Sequence, residues 1–487
     1  MTGIVGFGAY LPALRLQREQ ILAAHGWLNP GLKLLAKGEL ATCNWDEDAL
    51  TMAVEASRSA VTLDDRKNVA RLLLASATLP FEGRLGGAVL TEALGLDSSV
   101  LCLDTGGSPR CGLTSLRTAL ELPAAQDGVT LCVAADQQKA QPASAHEMSL
   151  SSGAASFVIG RDKVLARYLG GLSHTTDFVD RFRVRGGEYD VHWEDRWIRD
   201  EGYLKMMPDT IRGLLARLNV APGGVQHLAV GVSMPGVPAA VAAAVGIAAD
   251  RVVDNLFDVC GNGGSAYPLL LLISALERAE PGERILVCAF GQGSEALLIE
   301  ATGELATARP RLHGTRAALA RRIVECNYLR HLTTAGQLDV DTGMRGAAHV
   351  ETPLSVAYRE RQTLLGFVGG RCTVCGTVQF PRVERCVNPG CHANGRQDPV
   401  NLAERRGSIL TWTADRLACS PRPPLYYGMV QFDEGGRVLM EFADVDEQCL
   451  DAGTPVRMVF RRHRATARHG HPGYFWKATP LMAEAAR

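Results

Sequence analysis

Two groups of residues in this sequence have types and spacings that could do chemistry. The first lies in Leu103–Leu116, LDTGGSPRCGLTSL, where an apolar strand over Ser99–Leu103 turns through two glycines into a helix beginning near Pro109. A sharp strand-to-helix turn points the first helical residues, and the positive end of the helix dipole, into one cleft. A thiol in that field has a lowered pKa and can accept an acyl group, so Cys111 is a candidate nucleophile. The other reading, which the residues favour, is a small packed helix residue, with Pro109 at the first helical position, where its missing N–H costs nothing. The second group is Cys372, Cys375, Cys386 and Cys391 in CTVCGTVQFPRVERCVNPGC. A C-x-x-C knuckle followed ten residues later by a second pair suits tetrahedral Zn²⁺. Four thiolates leave no position for water, so the expected role is structural. Iron in a rubredoxin-like Cys₄ site is the alternative.

The elements that must position these groups belong to a large chain. A length of 487 residues sets a prior of roughly three domains. Hydrophobic residues make up 46% and charged residues 21%, as in soluble globular proteins. A net charge of −1 argues against nucleic acid as the main partner. The opening MTGIVGFGAYLPALRL lacks the basic and long apolar regions of a signal peptide, and YPLLLLISA at Tyr267–Ala275 is too short to span a bilayer. Thirteen cysteines, four of them clustered, fit reduced thiols plus one metal site, hence a cytoplasmic protein without a membrane partner.

Residues 1–300 alternate strand-like and helix-like segments, the pattern of layered α/β architecture. Strands are expected at Ile4–Tyr10, Ala70–Ala77, Val100–Leu103, Val129–Ala135 and Ala154–Ile159. Helices are expected at Asp46–Ala60, Gly87–Leu94 and Cys111–Leu122. A second half repeats the plan. Helices at Met207–Leu218, Val237–Val245 and Pro268–Ala279 alternate with strands at His227–Val232, Ile285–Ala289 and Ala296–Ala301, and Gly261–Ser265 forms a glycine-rich turn. Two comparable halves suggest a duplicated fold with a cleft between them. His174–Tyr203, dense in charge and aromatic residues, is either a solvated excursion or a cap supplying groups such as Tyr189, His192 or Tyr203. Ala317–Thr333 reads as a helix and 339–352 as irregular. Beyond the cysteines, Gly407–Ala414, Leu425–Phe432, Arg437–Phe442 and Pro455–Phe460 read as strands of a small all-β barrel. The run RRHRATARHGH at Arg461–His471 reads as a loop before the last strand, either solvated or contacting the phosphates of a nucleotide-bearing ligand.

Several stretches carry a resemblance. GIVGFGAYLPALRL at the start, DEDALTMAVEAS at 46–57, LTEALGLDSSV, SSGAASFVIG at 151–160, FGQGSEALLI at 290–299 and NYLRHLTTAGQL at 327–338 resemble archaeal-type 3-hydroxy-3-methylglutaryl-CoA synthases of the thiolase-like superfamily. FADVDEQCLDAGTPVRMVF at 442–460 resembles the zinc-ribbon/OB-fold proteins that accompany such enzymes. The resemblance implies a thiolase-like duplicated five-layer α/β fold, then a rubredoxin-like zinc ribbon and a small OB-fold barrel. The implied domains are 1–165, 166–350, 351–400 and 401–487. It also implies an acyl-CoA substrate and a homodimer, or a heterodimer with another thiolase-like chain.

The family's catalytic glutamate, cysteine and histidine fall by ungapped counting on Ala77, Pro109 and Ser233. Cys111 sits two residues past the cysteine position, roughly 200° around a helix. No histidine lies between His227 and His313, while Asn262 of the Gly-Asn turn is retained. The implied catalytic positions are therefore Cys111, Asn262 and Ser233, with Gly261, Gly291, Gly293 and Tyr203 shaping the substrate cleft. Three functions follow. One is aldol or retro-aldol chemistry on a CoA thioester, which needs a base and enolate-stabilising donors but no acyl-enzyme. Its candidate bases are Glu82, His146, Glu147, Tyr189, His192 and Tyr203. A second is Claisen condensation through Cys111. A third is a non-catalytic acyl-CoA-binding or scaffold subunit.

Overall fold

The computed structural model describes residues 2–123, 128–341, 352–463 and 473–481. The chain forms two units: Met1–Cys43, Asp48–Leu90 and Leu96–Tyr328 make one, and Asn44–Glu47, Thr91–Gly95 and Leu329–Arg487 the other.

The first unit is built on β1 (Gly3–Tyr10), β2 (Val69–Ala75), β3 (Leu101–Thr105), β4 (Val129–Gln137), β5 (Ser152–Gly160), β6 (Ala166–Thr175), β7 (His227–Val230), β8 (Arg284–Phe290) and β9 (Gly293–Ala301). They form one sheet in the order β7-β8-β9-β6-β1-β5-β4-β2-β3. The duplication is visible in its pairing. In the first half β3, β2 and β4 run parallel, then β4–β5 and β5–β1 are antiparallel. In the second half a bridge from Val252 to Leu228 and the β7–β8 pair are parallel, then β8–β9 and β9–β6 are antiparallel. The halves join where Gly3 and Ile4 pair with Arg167 and Ala166.

Helices complete the layers. The helix α1 (Ala49–Ala60) packs on β1 and β5, and α2 (Cys111–Glu121) on β4 and β2. The helix α3 (Met207–Arg217) packs on β9 and β6, and α4 (Tyr267–Leu276) touches β8 and β7 on one side and β5 and β1 on the other. The sequence YPLLLLISAL has no polar face because α4 has no solvent side, and all ten of its residues are buried. Asp48 caps α1, its carboxylate accepting from the Thr51 N–H at 2.9 Å while the Thr51 hydroxyl accepts from the Asp48 N–H.

Three expectations need correction. Pro109 is not the first helical residue: α2 starts at Cys111, and Pro109 sits in the turn before it. Ala317–Thr333 is not one helix. Helical turns at Thr315–Ala320 and Tyr328–Thr334 flank a strand, Ile323–Glu325, which pairs in parallel with Leu14–Gln17. That open strand edge offers hydrogen bonds that isolated helix propensity cannot match. Within Arg461–His471, Arg461 and Arg462 belong to a strand and 464–472 lie outside the described residues. Of 339–352, residues 342–351 also lie outside them.

In the second unit, β10 (Val368–Cys372), β11 (Val378–Gln379) and β12 (Gln397–Asn401) form the cysteine-bearing sheet, in the order β11-β10-β12. The strands β13 (Gly407–Asp415), β14 (Leu425–Phe432), β15 (Arg437–Glu441), β16 (Pro455–Arg462) and β17 (Tyr474–Pro480) run β15-β14-β13-β16-β17. A bridge between Phe442 and Ala478 brings the two ends of that sheet together into a small barrel.

Candidate active site and cysteine cluster

The turns after β2, β3 and β7, and the Gly-Asn turn before α4, converge at the carboxyl ends of the parallel strands, where open α/β sheets place their clefts. A cavity of about 190 Å³ lies there. Pro109, Ser233, Asn262 and Gly264 contribute from the turns, Pro268 from the first turn of α4, and Asp180, Arg181, His192, Asp195 and Tyr203 from the charge-rich segment. His146, Ser149 and Leu150 complete another part of the wall. His174–Tyr203 is thus a cap with residues facing the cavity. Its hairpin Arg181–Phe182/Val191–His192 brings Arg181 and His192 to the cavity wall, while Val184 and Trp193 stay exposed.

A chain of hydrogen bonds holds that hairpin down. Arg181 donates to the Gln138 side-chain oxygen at 3.0 Å, and Gln138 donates to the Asn262 carbonyl at 2.6 Å. The Asn262 side-chain oxygen accepts from the Gly264 N–H at 3.0 Å, which orients its amide nitrogen to donate to Ser233 Oγ at 3.1 Å. Ser233 keeps its own hydroxyl proton to donate. Beneath the turn, buried Asp136 accepts at one oxygen from Ser76 Oγ, the Ala77 N–H and Thr78 Oγ1, all at 2.8–2.9 Å. Its other oxygen accepts from the Ser265 N–H at 2.7 Å. Gly264 has φ +66°, and a Cβ there would collide with the Asp136 carboxylate, so only glycine lets the two approach.

Of the expected site residues, Pro109, Ser233, Asn262 and Tyr203 line the cavity and Cys111 does not. Cys111 is 6% exposed and belongs to the core cluster. Burial first, and then the Asp136 carboxylate, push its thiol up to about 12. Gly112 beside it is pressed so closely to the Ser265 carbonyl that a Cβ would clash. Ala77 is tied to Asp136 and stays out of the cavity wall. Gly261 (φ +78°) shapes the turn before Asn262, Gly291 packs on Ser108 and Pro109, and the Gly293 carbonyl accepts the Gly291 N–H at 2.9 Å.

Among the candidate bases, Glu82 is exposed and paired with Arg185 at 2.7 Å. Glu147 accepts from the Tyr328 hydroxyl at 2.6 Å and the Ala143 N–H at 2.8 Å, which anchors the short turn carrying His146. Tyr189 does not line the cavity, whereas His146, His192 and Tyr203 do. The rings of His146 and His192 stack with centroids 3.5 Å apart and planes at 19°. Burial holds both below the usual imidazole range. His192, further opposed by His146 and Arg181, is pushed down to about 3, while Asp195 partly restores His146. Tyr203 is raised by burial and then by Asp180, and its ring meets Phe290 edge-on at 5.2 Å. Sequence reasoning did not single out Asp136, Gln138, Asp180, Arg181 or Asp195. None of them has a spacing that marks it, because their roles come from long-range contacts.

In the second unit, the sulfurs of Cys372, Cys375, Cys386 and Cys391 lie within 4.8 Å of one another. Cys372–Cys391 are 3.7 Å apart and Cys375–Cys386 3.6 Å. Tetrahedral bonds of ~2.3 Å to zinc require sulfurs about 3.8 Å apart, so the four thiols fit that ion.

Comparison with known proteins is consistent with this geometry. Residues 400–461 match the family described as ChsH2, C-terminal OB-fold domain. A hydroxymethylglutaryl-CoA synthase of Aeropyrum pernix is 31% identical over 346 residues, covering 70% of this chain and 95% of the relative. That of Methanopyrus kandleri is 31% identical, covering 60% and 85%. Among solved structures, an HMG-CoA synthase complexed with CoA superposes with a TM-score of 0.63 at 17% identity, covering 72% of this chain and 95% of its own. The 3-oxoacyl-(acyl carrier protein) synthase III of Pseudomonas aeruginosa superposes with a TM-score of 0.54 at 19% identity, covering 62% and 98%. These two likenesses establish a thiolase-like fold.

Proposed function

This chain belongs to the hydroxymethylglutaryl-CoA synthase family, and we propose that it makes or breaks a carbon–carbon bond beside a CoA thioester without an acyl-cysteine at Cys111. The observation that carries this reading is the packing of Cys111 in the core while Pro109, Ser233 and Asn262 face the cavity. A thiol raised to about 12 supplies almost no thiolate at neutral pH. Aldol-type chemistry needs none. It needs a base and donors aimed at the thioester oxygen as it gains charge. Ser233, fixed by Asn262, is such a donor. The CoA bound to the structural relative supports a CoA thioester as the ligand.

The fused second unit fits a substrate-handling role with a structural Zn²⁺ on its four cysteines. Reduced thiols of that kind suit a cytoplasmic setting. The bare edge strand β3, with Leu101 65% and Leu103 49% exposed, suits pairing with a second thiolase-like chain. Intact-mass measurement after incubation with acetyl-CoA and acetoacetyl-CoA tests the reading, with Cys111→Ala as control. Unmodified protein that binds these thioesters and cleaves a β-hydroxyacyl-CoA is expected. An acyl adduct at Cys111, absent from the variant, would instead establish condensation through that thiol.

A further inference from the structure

We infer that His146 and His192 are the proton acceptor of this cavity, working as one stacked pair that holds a single proton. The inference rests on the reading above and adds the group that reading leaves unnamed. The two rings come from separate elements, the short turn Ala145–Met148 and the returning strand of the cap hairpin, yet they meet face to face at 3.5 Å on the cavity wall. Each has its own tether. Glu147, held by Tyr328, fixes the His146 turn, and the Arg181–Gln138–Asn262 chain fixes the hairpin beside His192. Nε2 of His192 is buried and makes no hydrogen bond among the described residues. A buried polar atom left unsatisfied in an otherwise tethered wall is accounted for by a partner that arrives with substrate.

The charges around the pair set its proton count. Arg181 repels a proton on either ring, while Asp195 and Asp190 attract one to His146. Two imidazolium rings at 3.5 Å repel strongly, so the pair takes one proton and not two. That is the state change a general base undergoes. The pair removes a proton from the α-carbon of a CoA thioester, so that the C–H bond breaks and an N–H bond forms. The electron pair moves to the thioester oxygen, which accepts from the Ser233 hydroxyl. The enolate carbon then bonds to the carbonyl carbon of a second substrate, and the resulting alkoxide takes the proton back from the pair. Cleavage runs the same steps in reverse.

The test is exchange of α-protons of acetyl-CoA and propionyl-CoA in D₂O, catalysed by the full chain and followed by NMR. Binding of the same thioesters is measured by calorimetry. Wild type is expected to exchange, with a rate that rises with pH through one ionisation. His146→Asn and His192→Asn are each expected to lose at least about 100-fold in rate and that pH dependence, while binding changes little and circular dichroism shows the fold intact. Exchange within tenfold of wild type in both variants would overturn the inference and leave the proposed chemistry standing. So would a wild type that binds thioesters without exchanging them. A wild type that binds neither thioester would overturn both.

Discussion

The Asp136 carboxylate accepts the Ser265 N–H at 2.7 Å and thereby ties the end of β4 to the start of α4 across the duplicated fold. The same side chain holds Ser76, Ala77 and Thr78 through its other oxygen. One buried residue therefore fixes turns from both halves, including the one that leads from Asn262 into α4.

Asp136→Asn turns one of those acceptor oxygens into a donor facing other donors. Leaving a buried N–H unsatisfied costs about 1–3 kcal/mol, and this change disturbs either one or three bonds. A loss on the order of 3 kcal/mol is expected, read as a lower urea midpoint with an unchanged slope. An unchanged midpoint would mean the clamp carries no stability.

Cys111 should behave as packing. At pH 8 a thiol raised to about 12 is ionised in only about one molecule in 10⁴. Iodoacetamide should label the exposed Cys326 and Cys419 in native protein and leave Cys111 unmodified. Cys111→Ala should cost about 1 kcal/mol for the small void and leave thioester binding intact. Labelling of Cys111 at the rate of Cys326 would contradict its placement.

Much of this fold was legible along the chain because its signals are local. Apolar runs mark β2, β4 and β8, and glycines at 106–107 and 261–264 mark the two strand–turn–helix sites. The spacing of Cys372, Cys375, Cys386 and Cys391 announces their cluster in the same way. What stayed hidden is non-local. Nothing near His192 in sequence reveals His146, and their meeting requires the cap hairpin and the Arg181–Gln138–Asn262 chain. The strand Ile323–Glu325 reads as helix along the chain because its partner, Leu14–Gln17, lies some three hundred residues earlier. Ungapped counting is what assigns the family's catalytic positions to Ala77, Pro109 and Ser233, as an expectation. It does not say which residues would carry the chemistry in their place.

The cysteine cluster predicts a metal content. Elemental analysis of the purified chain should find one zinc per molecule, and Cys386→Ser should abolish it. A strong chelator should lower the melting temperature, since a structural zinc site contributes its binding energy to folding. Full zinc in Cys386→Ser, or a native chain without metal, would remove the site. Iron in its place would be visible by absorbance.

The histidine pair also predicts how stability follows pH. His192 is pushed down to about 3 by burial, then by His146 and Arg181, from an ordinary value of 6.5. Between those values the unfolded chain binds a proton that the folded chain refuses, so stability rises with pH through that window and falls on acidification. His192→Asn should flatten this part of the stability curve measured by urea titration from pH 4 to 7. An identical slope in variant and wild type would mean that the folded protein admits the proton.

Arg461, expected to be in a loop contacting solvent or phosphate, is instead fully buried in β16. It lies 2.6 Å from Asp444, 3.5 Å from Glu47 and 3.8 Å from Asp46, while Lys477 pairs with Asp46 and Glu441 at 2.8 Å. Burial pushes the Asp46 carboxyl up, but Lys477 and then Arg461 outweigh it and hold it below the usual range. Its charge is already engaged by carboxylates, which leaves no role for it at a phosphate. Arg461→Met would remove a buried cation from beside those acids, and breaking a buried ion pair from one side costs about 3–5 kcal/mol. Adding Asp444→Leu removes the most closely paired acid and should recover part of the loss, because an apolar pair of similar volume can replace a buried ion pair. Thermal unfolding of the single and double variants decides it. A single variant as stable as wild type would show that the cluster is solvated and that Arg461 is free to serve a ligand after all.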